Sequence, residues 1–100
     1  MVKHIIMWDH KDEYSDEEKA MHAAEIKSSL EALVGVVPGL IDLKIYFNLM
    51  DSSNADIILD STLESREALD GYQDHPAHVK AAVEVVRPRV QNRRCADFEI

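Results

Sequence analysis

Val2-Lys3-His4-Ile5-Ile6-Met7-Trp8 opens the chain with a strand that is apolar on both alternations. His4, Ile6 and Trp8 fall on one face, Ile5 and Met7 on the other. A strand of this kind must be covered on both faces. One hundred residues make one domain, 1–100, with a single core. Helices can cover one face of the sheet that holds this strand. Something else has to cover the other.

The rest of the chain supplies the remaining strands and the helices. After a polar loop, Ser15-Asp16-Glu17-Glu18 forms a capping box, and its three carboxylates suit the start of a helix. Ala23, Ile26, Leu30, Leu33 and Val37 continue it at helical spacing, and Pro38-Gly39 is expected to end it. Leu40 to Asn48 reads as a second strand, with Ile41, Leu43, Ile45 and Phe47 alternating against Asp42, Lys44, Tyr46 and Asn48. A turn rich in Asp, Ser and Asn leads to a third strand, Ala55 to Thr62. Ser65 caps a short helix that runs through Tyr72. A further helix starts at Pro76, buries Val79, Ala82, Val83 and Val86, and ends at Arg87-Pro88. Asn92 to Ile100 is the last strand.

The order is β-α-β-β-α-β, the split βαβ pattern of α+β ferredoxin-like folds. Four antiparallel strands with helices on one face leave an apolar face bare, and a face of that size does not stay in water. Two copies packed sheet to sheet cover it, so a homodimer that closes into an α+β barrel is expected.

Apolar residues make up 46% of the chain, enough for a packed core. Eleven Lys and Arg stand against nineteen Asp and Glu, a net charge of −8 that argues against nucleic acid. The basic cluster Arg87, Arg89, Arg93 and Arg94 reads as a solvated flank of the last strand. Cys95 is the single cysteine, so no intrachain disulfide forms, and it reads as a small core residue. No apolar run suggests a leader or a membrane span, and a cytoplasmic location is expected.

Tyr72-Gln73-Asp74-His75-Pro76-Ala77-His78-Val79 gathers a phenol and two imidazoles at a helix start. Pro76 fixes φ for the first helical position, His75 or Asp74 caps it, and His78 takes a defined vector in the first turn. A phenol and an imidazole held together can act as an acid–base pair. A cavity between sheet and helices, lined by Ile, Leu, Met and Trp8 and faced by His4, would place them at one end. Each residue also has a purely structural reading: Pro76 as helix start, His75 as cap, Tyr72 as a core aromatic with a wet hydroxyl. His75 and His78, three apart, also have a spacing that can share a metal ion.

The Tyr-x-x-His-Pro-x-His-Val segment, the opening Val2-Lys3-His4-Ile5-Ile6 and the closing Asp97-Phe98-Glu99 together resemble the stress-responsive α/β-barrel (Dabb) family over essentially the whole chain. The resemblance implies a dimeric α+β barrel and no single assigned activity. A more distant likeness runs to the plant olivetolic acid cyclases of the family, which close a linear polyketide by aldol chemistry. It implies a lyase-type role with His78 as base and Tyr72 as oxyanion donor, with His75, His4 and Trp8 around them. Lys80-Ala81-Ala82-Val83-Glu84 departs from that branch, placing a charge and small residues where a long-chain pocket would want apolar bulk. The resemblance also implies an Mg2+ ion held by the backbone carbonyls of Val34, Val37 and Leu40, and no other cofactor. Related barrels host cofactor-free monooxygenases and haem-degrading enzymes, which would involve His4, Met7 and Trp8. The ligand expected is a small apolar or carbonyl compound. A structural or assembly protein without catalysis is the competing class.

Overall fold

The computed structural model describes residues 1–100. Strands β1 (Val2–His10), β2 (Leu40–Tyr46), β3 (Ile57–Leu63) and β4 (Val90–Glu99) form one antiparallel sheet in the order β2-β3-β1-β4. Helices α1 (Asp16–Glu31), α2 (Arg66–Asp74) and α3 (Pro76–Ala81) cover one face. This is the ferredoxin-like arrangement expected from the element order.

The alternation of β1 sets the two faces. Val2, His4, Ile6 and Trp8 are buried against the helices, while Lys3, Ile5 and Met7 are only half-buried on the other side. The register carries this division across the sheet. Met7 pairs with Ile58, Ile5 with Asp60 and Ala96, and Lys3 with Phe98. The face away from the helices therefore presents Ile5, Met7, Ile58, Ala96 and Phe98, with Lys3 bonded to Asp60 and Thr62 at one end.

The capping box forms: the Glu18 N–H donates to Ser15 Oγ, and the Ser15 N–H donates to the Glu18 carboxylate. α1 stops at Glu31, earlier than Pro38-Gly39: past the cap residue Ala32 the bonds tighten to i→i+3, from the Leu33 N–H to Leu30 and from the Val34 N–H to Glu31, before Gly35 at φ +88° turns the chain. Leu33 and Val37 are buried all the same, from the connection rather than the helix. Glu31 ties that end of α1 to the sheet, accepting from the Ile45 N–H and from Lys27. Burial opposes its charge, but these donors outweigh it and hold the carboxyl below its ordinary value.

Two periodicities depart from expectation. In β2 the register slips between Leu40 and Asp42, so Leu40, Leu43 and Ile45 are buried and Ile41 is exposed. A bulge inserts one residue and shifts the alternation. After α3 the chain widens into a π-turn, Ala82–Val86, in which the Arg87 N–H donates to the Ala82 carbonyl. The wider turn rotates the buried side: Ala81 and Val86 are buried, whereas Val79 and Val83 are exposed.

Candidate functional site

A cavity of about 530 Å³ lies between the helix-facing side of the sheet and the α2–α3 corner. β1 contributes His4, Ile6 and Trp8, β3 contributes Leu59, and β4 contributes Arg93 and Cys95. Leu30 of α1, Tyr72 of α2, His78 of α3 and Ala82, Val86 and Arg87 beyond it complete most of the lining. Met7 turns to the opposite face, so no methionine borders the cavity.

The α2–α3 corner positions Tyr72 and His78. Ser65 caps α2 by accepting from the Ala68 N–H, and Leu69 and Tyr72 form its buried side. His75 breaks the helix with extended backbone, and its Nδ1 accepts from the Ala77 N–H as α3 begins at Pro76. This break sets the His78 ring edge-on to Tyr72, with centroids 4.3 Å apart. Tyr72 is fully buried, so its hydroxyl is not wet as expected. That hydroxyl finds no protein hydrogen-bond partner. Burial pushes the phenol pKa well above its ordinary value, so it stays a neutral donor.

His78 Nδ1 lies 3.2 Å from the Gln73 carbonyl, which places the proton on Nδ1 and leaves Nε2 as the free lone pair. Burial lowers the His78 pKa, the charges of His4, Arg87 and Arg93 add to this, and the Gln73 carbonyl opposes it. The ring is therefore neutral near pH 7 and able to take a proton.

His4 faces the same space, its ring 5.9 Å from Tyr72. Its Nδ1 sits 2.5 Å from the Asp97 carboxylate. The Cys95 thiol donates to the same carboxylate at 3.4 Å. Burial and then Asp97 push the thiol pKa up, so Cys95 is no activated nucleophile.

The fold brings together His4, Trp8, Tyr72 and His78 of the residues singled out from sequence. It does not bring in His75. That side chain is spent on the cap and borders a separate shallow depression with Gly39 and Glu64. His75 and His78 thus do not converge on one metal position. Val34 and Val37 lie in the α1–β2 connection and Leu40 at the start of β2, away from the cavity, and the Val37 carbonyl accepts from the Leu40 N–H. Sequence reading missed Arg87, Arg93, Cys95 and Asp97 as site residues. The alternation of the last strand puts Cys95 and Asp97 on one face, but only its pairing with β1 brings them to His4.

The model of the stress-responsive A/B barrel domain matches residues 2–100. The chain belongs to the Dabb family. Among solved structures, this Dabb protein is similar to a dimeric ferredoxin-like protein of unknown function from Bacteroides fragilis. The two are 27% identical with a TM-score of 0.89, over 99% of this chain and 95% of that one. A dimeric ferredoxin-like protein of unknown function from Thermobifida fusca is 21% identical, with a TM-score of 0.82 over 99% and 90% of the two chains. The hydroxynitrile lyase of Passiflora edulis is 17% identical, with a TM-score of 0.79 over 99% and 92%. No curated protein matches the chain. No helix of this Dabb protein is long and apolar enough to cross a membrane.

Proposed function

We propose that this Dabb protein is a homodimer that binds one small, mostly apolar molecule per protomer, carrying a carbonyl or carboxyl oxygen, in the Tyr72–His78 cavity. The fully buried phenol with no protein partner carries this reading. A buried donor costs about 1–3 kcal/mol if left unmatched, and an acceptor oxygen on a ligand removes that cost. The charges agree. Arg66, Arg89 and Arg94 pair with Glu99, Glu25 and Asp9, whereas Arg87 and Arg93 border the cavity instead. A net-negative protein thus turns two guanidinium groups toward this space.

Where the ligand is turned over, the geometry favours acid–base chemistry next to a carbonyl. His78 Nε2 takes the proton from the carbon next to the carbonyl, the C–H electron pair forms the enolate with its charge on the carbonyl oxygen, and Tyr72 donates to that oxyanion. His4, oriented by Asp97, is a second imidazole within reach. The lyase from Passiflora edulis shows that a lyase can be built on this fold. The dimer reading rests on the uncovered Ile5, Met7, Ile58 and Phe98 and on the dimeric relatives.

A thermal-shift screen of small keto acids, aromatic acids and their methyl esters tests this function. Binding raises the melting temperature by mass action. The expected result is a hit that Tyr72→Phe weakens, and whose turnover, if present, His78→Ala abolishes while the dimer stays intact. A stable dimer that no compound shifts would overturn the ligand reading in favour of an assembly protein, and loss of folding in His78→Ala would overturn its catalytic role.

A further inference from the structure

We propose that His4, Cys95 and Asp97 form a zinc site at the edge of the cavity. His4 Nδ1, Cys95 Sγ and an Asp97 carboxylate oxygen all lie within 4.8 Å of one another. The β-ladder fixes this convergence. His4 pairs directly with Asp97, Ile6 pairs with Cys95, and antiparallel partners share a face, so the three side chains project to the same side.

The separations are 2.5 Å from His4 to Asp97, 3.4 Å from Cys95 to Asp97 and 4.0 Å from Cys95 to His4. A tetrahedral zinc ion with ordinary bond lengths spaces its ligand atoms by roughly 3.3–3.6 Å. Reaching that spacing takes side-chain movements of about 1 Å or less. His4, buried and packed edge-on to Tyr72, is the fixed member, while Cys95 and Asp97 are exposed and able to adjust.

The donor set selects the ion. A thiolate, an imidazole and a carboxylate suit borderline-soft zinc and not hard magnesium, which prefers oxygen donors. One thiolate and one carboxylate also balance the charge of a divalent ion. Three protein ligands leave a fourth position for water or a ligand atom. His4 and Cys95 both border the cavity, so that position gives onto the space occupied by Tyr72 and His78. The His4–Asp97 hydrogen bond needs no thiol. A zinc site gives Cys95 a role that the bond alone does not.

Cobalt(II) is the probe, because its spectrum reports both geometry and sulfur ligation. Tag-free protein is titrated with Co2+, then with Zn2+ and Mg2+ as competitors. The expected result is one Co2+ per chain, with tetrahedral visible bands and a near-ultraviolet thiolate charge-transfer band, displaced by Zn2+ and not by Mg2+. Cys95→Ser should abolish the charge-transfer band. Asp97→Asn should keep the band and weaken binding by at least ~10-fold. Both side chains are exposed, and the amide oxygen in Asp97→Asn can still accept from His4 Nδ1, so circular dichroism should show both variants folded. His78→Ala should leave the cobalt spectrum unchanged, which separates this site from the proposed cavity chemistry. Cobalt binding without the charge-transfer band, a band that survives Cys95→Ser, or an affinity indifferent to Asp97→Asn would each overturn the site.

Discussion

Gly39→Ala offers a measurement in which two costs can be separated. Gly39 sits at φ +80°, in the left-handed region, and a Cβ there would stand 2.6 Å from the Cβ of Ala68 on α2. The backbone strain is worth about 1–2 kcal/mol. Forcing a methyl group into packed space adds about 1–3 kcal/mol. Gly35 supplies the control: its φ is +88°, and nothing lies within 4 Å of a Cβ built there. Gly35→Ala should therefore cost only the backbone term, and Gly39→Ala about 1–3 kcal/mol more. In a domain of this size the extra loss lowers the melting temperature by at least about 4 °C. Urea denaturation at one fixed protein concentration gives both values, since the proposed dimer would make stability concentration-dependent. The contact also reaches the site, because Ala68 and Tyr72 lie one helical turn apart on α2. Ligand binding should weaken in Gly39→Ala and hold in Gly35→Ala. Equal losses of stability in the two variants would refute the claim that Gly39 seats α2 against the sheet.

Three further expectations follow from the fold and its electrostatics. Ile5→Glu puts a carboxylate on the uncovered face beside Asp60; an unpartnered charge enclosed on each subunit costs about 3 kcal/mol or more, so dimerisation measured by sedimentation should weaken at least ~100-fold, and an unchanged mass would exclude sheet-to-sheet pairing. Burial first of all lowers the pKa of both His10 and His78, so the unfolded chain binds more protons than the folded one; stability should rise with pH, with the penalty setting in as pH falls through about 6.5, and His10→Gln with His78→Gln should flatten that slope in thermal melts. Glu31 is held below its ordinary pKa, so its contribution is present above about 4.3 and lost as pH falls through the folded value; Glu31→Gln should cost about 1 kcal/mol at neutral pH and nothing at strongly acid pH, as read by urea denaturation.

The sheet was legible because alternation is a local signal. Val2 to Trp8 revealed both its faces, and the Ser15 capping box and the His75-Pro76 break showed where helices start. The departures came where geometry adds or redirects a residue. The β2 bulge exposed Ile41, a tightened last turn ended α1 ahead of Gly35, and the π-turn brought out Val79 and Val83. None of these has a distinctive residue pattern. The site was legible in its sequence-local part, Tyr72 and His78. Its other half depends on pairing between residues more than ninety apart, as between His4 and Asp97. Cys95 read as a core residue and Arg93 as a solvated one because neither neighbourhood exists until β4 lies beside β1.

The π-turn at Ala82–Val86 gives the cavity a way to be edited without disturbing the sheet. An i→i+5 turn carries one residue more than an α-helical turn, so residues five apart come near alignment. Ala82 and Arg87 are five apart, and both border the cavity. On a regular α-helix, at 3.6 residues per turn, those two positions would diverge by about 140°. Arg87 therefore owes its place at the cavity to one extra residue in this turn. Deleting a residue there would turn its charge away from the pocket, while the strands, the α2–α3 corner and the uncovered face stayed as they are. A lineage of such proteins could change what it binds through single-residue insertions and deletions at this turn.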